Sequence, residues 1–136
     1  MTVPACIGIY SPGDMGGAVG AVLGRGGLRV VAALKGRSER TRRLAAQAGI
    51  EDVGSLEALA REAGMVLAIL VPGQAEAAAG AMAAAMEATG ARPLYVDCNA
   101  VAAETSVRVG EIVARAGAPR HLVAMRPRPF QLLHRL

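Results

Sequence analysis

The chain has 136 residues, enough for one domain, and a composition of 53% hydrophobic but only 2% aromatic residues with 17 glycines. This calls for a core of Ala, Val, Leu and Ile and excludes an intrinsically disordered chain. The net charge of +4 comes from residues 118–136, where Arg120, Arg126, Arg128 and Arg135 stand without an Asp or Glu; the other 11 basic residues balance all 11 acidic ones in residues 1–117, a body with no basic stripe or aromatic platform for nucleic acid.

In chain order, residues 3–10 (VPACIGIY) read as a buried strand, with Pro4 at its start, where a missing N–H is tolerated. Residues 14–27 form a helix rich in small residues, closed by Gly26 and Gly27. Residues 28–34 (LRVVAAL) are a second strand, and residues 38–49 a helix with Ser38 as N-cap and Gly49 as its stop. Residues 51–54 give at most a short strand, and 55–64 a helix capped by Ser55. The unbroken apolar run 65–71 (MVLAILV) is expected to be a strand covered on both faces. After the Pro72–Gly73 turn come an Ala-rich helix (74–90), a strand (93–100) and a helix (102–117) whose inner face is expected to carry Val107, Ile112 and Val113.

Strands alternating with helices over short connections imply parallel strands joined by right-handed crossovers, so the expected fold is α/β, a Rossmann-like doubly wound parallel sheet with helices on both faces. Cys6 and Cys98 lie in apolar strand-like runs with no metal or disulfide spacing and read as reduced thiols. No apolar run reaches the length of a membrane span and no leader pattern opens the chain, so the expectation is a cytoplasmic protein with no membrane partner.

The first strand runs into Ser11-Pro-Gly-Asp-Met-Gly16. In the dinucleotide fingerprint G-x-G-x-x-G the first glycine makes the turn, the second admits the pyrophosphate and the third packs helix against strand. Gly13 and Gly16 fill the second and third places, and Ser11 stands in the first. The N–H groups opening the following helix would face the phosphates. A tight strand–helix turn with no ligand explains the two glycines equally well, until the second strand is considered. Where an NAD site carries an acidic residue for the ribose 2′-OH, this chain has Lys35, Arg37 and Ser38, a set suited to a 2′-phosphate. The expected cofactor is NADP, with NAD less favoured.

Four segments resemble the β-hydroxyacid dehydrogenases, which include 6-phosphogluconate and 3-hydroxyisobutyrate dehydrogenases: IGIYSPGDMG, GRSERTRRLAAQAG, VLAILVPGQAEAA and YVDCNAVAAET. The resemblance spans residues 5–117, and the SPGDMG and DCNA segments are similar to the 6-phosphogluconate-dehydrogenase-like members. It implies that Ser11, Pro12, Gly13, Asp14, Met15 and Gly16 lie along the pyrophosphate and that Arg37 and Ser38 meet the 2′-phosphate. Val71, Pro72 and Gln74 would flank the nicotinamide, and Asn99 and Ala100 would sit where substrate meets its ring. Asp97 and Asn99 are also ordinary strand-end turn formers.

The family oxidises a β-hydroxyacid with a lysine from a later helix as acid/base, in a site completed by a further helical domain. This sequence has no lysine beyond Lys35, which sits at the other end of the cofactor, so no catalytic residue is assigned. Residues 1–118 are read as the NAD(P)-binding domain. Residues 119–136 change composition abruptly and are read as a tail from a truncated or frame-shifted gene, with a short natural protein as the other explanation. The expected function is NADP(H) binding, with a hydroxyacid as partner only if the missing domain is supplied and with room for a homodimer. A non-catalytic nucleotide sensor, or another Rossmann enzyme such as an imine reductase, remains open. A flavodoxin-like domain is a third alternative, and a P-loop protein is disfavoured by the missing G-x-x-x-x-G-K-[ST].

Overall fold

A computed structural model describes residues 4–99 and 101–117. Five parallel strands form one sheet in the order β3-β2-β1-β4-β5, with β1 at Cys6–Ile9, β2 at Arg29–Ala32, β3 at Glu51–Asp52, β4 at Met65–Ala68 and β5 at Leu94–Asp97. The connecting helices are α1 (Asp14–Arg25), α2 (Glu39–Gln47), α3 (Leu56–Glu62) and α4 (Ala75–Thr89), with α5 (Ala103–Arg115) after the last strand; a short 3-10 turn, Pro72–Gln74, precedes α4. The chain winds outward from β1 to β3, then returns to the far side of β1 to lay down β4 and β5. The C-terminal ends of β1 and β4 therefore flank the point where the winding reverses, where open α/β sheets form their ligand crevice.

The strand pleat divides the core in two. Val31 and Ala33 point to one face, with Leu59, Val66, Met82, Met86, Tyr95 and Val109, under α3, α4 and α5. Val30 and Ala32 point to the other, with Ile7, Ile9, Leu34 and Ile50, under α1 and α2. On α4, Ala75, Ala78, Ala79, Met82, Ala83 and Met86 recur at helical spacing and are buried, so a helix of small residues settles closely between α3 and α5. Arg29 ties the sheet's N-terminal edge together: its guanidinium donates to Glu51 at 2.8 and 2.9 Å and to Glu62 at 2.7 Å.

Two expectations need correction. The run 65–71 is covered unequally on its two faces: Val66 and Ala68 are buried, while Met65 and Leu67 are only partly buried against the cluster of Ile7 and Ile9. The strand also ends at Ala68, where the chain turns toward Pro72. On α5, Val107 is 60% exposed, while Val109 and Val113 are buried and Ile112 packs against them. The 3.6-residue period puts 109 and 113 on one face and 107 about 200° away from 109. The caps at Ser38 and Ser55 are as expected: each hydroxyl accepts a backbone N–H, from Thr41 and Ala58, at 3.2 Å.

Candidate functional site

Helix α1 starts differently from α2 and α3. Its N-cap is Gly13, with no side-chain hydrogen bond to the first turn, so those N–H groups face outward uncapped. Ser11 keeps a negative φ, which is why the turn accepts a side chain in its first position. Gly16 is different: a Cβ there would stand 2.5 Å from the Ser11 carbonyl oxygen and 3.2 Å from Ile9 Cγ2. Gly13 is different again. Its φ is −76°, and a Cβ would meet nothing within 4 Å. Among the described residues nothing requires glycine at 13; the missing side chain leaves open space beside the backbone.

That space belongs to a groove of about 500 Å³ lined by Ser11, Gly13, Asp14, Met15, Gly16 and Arg40 on one side and by Ile69, Leu70, Val71, Pro72 and Gln74 on the other. It lies at the β1/β4 reversal. Met15 and Val71 are exposed in its walls, and Pro12 is buried beneath the turn. The groove thus brings together two separately expected groups, the turn after β1 and the loop after β4.

A second groove, of about 350 Å³, lies beyond the end of β2, lined by Tyr10, Ala33, Lys35, Arg37, Gly54, Ser55, Leu56 and Glu57. Between the two grooves stands one hydrogen bond: Arg37 Nη2 donates to Ser11 Oγ at 2.8 Å. Ser38 lies next to Arg37, but its hydroxyl is engaged in capping α2 and donates to Thr41 Oγ1 at 3.0 Å.

The loop carrying Arg37 is braced by two residues whose roles the sequence reading missed. Arg42 donates to the Leu34 carbonyl at 2.7 Å and to the Arg37 carbonyl at 3.4 Å. Asp52 Oδ1 accepts from Leu34 N at 3.1 Å and from Gly54 N at 2.8 Å. The arginine-rich run 37–43 was the available signal, but its residues have separate jobs. Arg40 reaches the other way and donates to both carboxylate oxygens of Asp14 at 2.9 Å, pairing the acidic residue that sits in the first turn of α1.

Asn99 lies at the end of β5, 4% exposed. Its Oδ1 accepts from Leu70 N at 2.8 Å, and its backbone N and Nδ2 donate to Asp97 Oδ1 at 3.0 and 2.6 Å. The pair therefore forms a strand-end turn that also ties β5 to the loop after β4. Asp97 Oδ2 is buried without a partner among the described residues. Burial, reinforced by the Asp97 charge, pushes the Tyr95 hydroxyl and the Cys98 thiol above their ordinary pKa values. Burial likewise raises Cys6. Both cysteines are free thiols. Ala100 and residues 118–136, the tail included, lie outside the described residues. No group of three or more His, Cys, Asp and Glu suited to a metal ion occurs among the described residues, and no helix among them is long and apolar enough to cross a membrane.

No protein-family model and no curated protein sequence matches the chain. Solved structures do. A conserved protein of unknown function, itself structurally similar to 3-hydroxyacid dehydrogenases, aligns with TM-score 0.69 and 24% identity over 79% of this chain and 39% of that one. The Mycobacterium tuberculosis 3-hydroxyisobutyrate dehydrogenase solved with L-serine gives 0.67 and 22%, over 88% of this chain and 38% of its own. The A. aeolicus prephenate dehydrogenase solved with hydroxyphenyl propionate and NAD+ gives 0.69 and 14%, over 93% and 42%. The fold is thus the Rossmann-like fold found in these dehydrogenases. The chain spans about two fifths of the length of each.

Proposed function

We propose that this chain is the dinucleotide-binding domain of an oxidoreductase of the β-hydroxyacid dehydrogenase type, and that it takes NADP(H) in preference to NAD(H). The observation that carries the reading is Gly13: an uncapped helix start beside a glycine that the fold does not need, opening on a groove at the sheet's reversal point. A backbone left bare at that place suits a pyrophosphate lying against it.

In this reading Ser11, Pro12, Gly13, Asp14, Met15 and Gly16 form the pyrophosphate cradle. Backbone N–H groups supply its hydrogen bonds, and Arg40 offsets the Asp14 carboxylate that would otherwise repel the anion. Arg37, with Lys35 in the same second groove, supplies positive charge for a 2′-phosphate, and Ser38 contributes chiefly by holding the start of α2. Val71, Pro72 and Gln74 form the opposite wall, where the nicotinamide would lie, and Asn99 fixes that wall through Leu70. Asn99 and Ala100 border the place for substrate. Bound nicotinamide supplies hydride transfer. The chain's own residues bind and orient it.

Oxidation of a hydroxyacid is proposed for a larger assembly, since the only lysine here is Lys35, on the second groove. That same position favours a second reading, a nucleotide-binding module without catalysis. The division into a nucleotide-binding domain over residues 1–118 and a separate tail over 119–136 is likewise a proposal. Titration with NADPH and NADH tests both readings, and no binding of either at millimolar concentration would defeat them. Turnover with a panel of hydroxyacids separates the two.

A further inference from the structure

We propose that Ser11 is a cofactor-selecting residue: its hydroxyl holds Arg37 in place for the 2′-phosphate and so sets the preference for NADP(H) over NAD(H). The inference rests on the dinucleotide reading above and concerns a position that the dinucleotide fingerprint assigns to glycine.

Ser11 lines the first groove and Arg37 the second, and their 2.8 Å hydrogen bond is the join between them. A dinucleotide with its pyrophosphate over Gly13 and its adenosine beside β2 must pass this bond. A guanidinium has five N–H donors, and Arg37 uses one on Ser11. No other side-chain bond from Arg37 occurs among the described residues, so its remaining donors are available to an anion.

Anchoring matters because a free arginine loses rotamer freedom when it captures a phosphate, and a held one has already lost it. The backbone beneath is held as well: Arg42 grips the Leu34 and Arg37 carbonyls, and Asp52 grips Leu34 N. With the loop braced, the Ser11 bond fixes the remaining freedom, that of the side chain. Glycine at position 11 would preserve the turn and lose this anchor. A contact between the Ser11 hydroxyl and the pyrophosphate would serve NADPH and NADH equally, whereas the anchor serves NADPH alone.

The test uses the full chain and its Ser11→Ala, Ser11→Gly, Arg37→Ala and Ser11→Ala/Arg37→Ala variants, each titrated with NADPH and NADH and each checked by thermal unfolding. Both Ser11 variants are expected to lose roughly three- to tenfold in NADPH affinity while NADH stays within about twofold. In the Arg37→Ala background, Ser11→Ala should cost NADPH nothing further. The ratio of the two affinities within one variant is independent of any loss of folded protein, so a merely structural staple would move the unfolding temperature and not the ratio. Equal losses for both cofactors, or no loss for either, overturn the inference and leave the dinucleotide reading standing. If the unmodified chain binds neither cofactor, both fall together.

Discussion

A Cβ on Gly16 would stand 2.5 Å from the Ser11 carbonyl oxygen, closer than any side chain can sit against backbone. The two residues close the turn between β1 and α1, and the clash is with main chain that has little room to yield, because Pro12 is buried beside it. Gly16→Ala is therefore expected to cost about 1–3 kcal/mol of stability, read as a lower denaturant midpoint with an unchanged slope.

Gly13→Ser separates fold from ligand. Position 13 is an N-cap with an ordinary φ and open space, so serine should leave stability unchanged or raise it by a few tenths of a kcal/mol. The new side chain would occupy the cradle and compete for its N–H groups. Affinity for NADPH and NADH should fall together by roughly tenfold or more, about 1.4 kcal/mol or above. Undiminished binding would mean that the pyrophosphate lies elsewhere.

Arg40→Ala exposes the Asp14 carboxylate at the start of α1. Both side chains are well exposed, so the unfolding temperature should barely change. Both cofactors should weaken by roughly two- to fivefold at low salt and less at high salt, and Asp14→Asn in the same chain should restore them. A loss that Asp14→Asn does not reverse would point to direct contact by Arg40.

Asn99→Ala removes one side chain from a buried set: it strands Leu70 N and takes the Nδ2 donor from Asp97 Oδ1, which keeps only the backbone N–H of residue 99. It is expected to cost about 1–3 kcal/mol. The loop from Leu70 to Pro72 should loosen as well, visible as faster amide exchange at Leu70 and Val71.

Cys98 tests the electrostatics beside that set. Burial and the Asp97 charge raise its thiol pKa, so at neutral pH it carries less thiolate than a free cysteine. In a Cys6→Ser background, alkylation by iodoacetamide at pH 7.5 should be slower than in the unfolded chain. The rate should keep climbing to a higher pH than it does for the same thiol in the unfolded chain.

Much of this was legible in the sequence because it depends on local rules. The strand–helix alternation, the caps at Ser38 and Ser55 and the outward turn at Pro72 follow from short-range chemistry. Ser11 was legible as a variant position, and its negative φ supplies the reason that glycine is dispensable there. What escaped was long-range. No spacing rule couples Arg37 to Ser11, 26 positions away, or Asn99 to Leu70, 29 positions away. Val107 and the partly buried face of β4 misled for another reason: an apolar residue in a helix or strand announces a preference for burial without revealing how fully its neighbours cover it.

The unequal cover on the sheet's two sides has a dynamic consequence. The larger apolar cluster lies under α3, α4 and α5, and the smaller one under α1 and α2, with α1 further weakened by Gly16, Gly17, Gly20 and Gly24 inside the helix. Opening should therefore be stepwise, with α1, α2 and the short β3 exchanging their amides before β4, β5 and α4. The turn before α1 and the loop bearing Arg37 both belong to the side that opens first. A ligand spanning them would slow exchange across that whole half of the molecule, and the slowing would itself measure how much of the domain's order is contributed by what it holds.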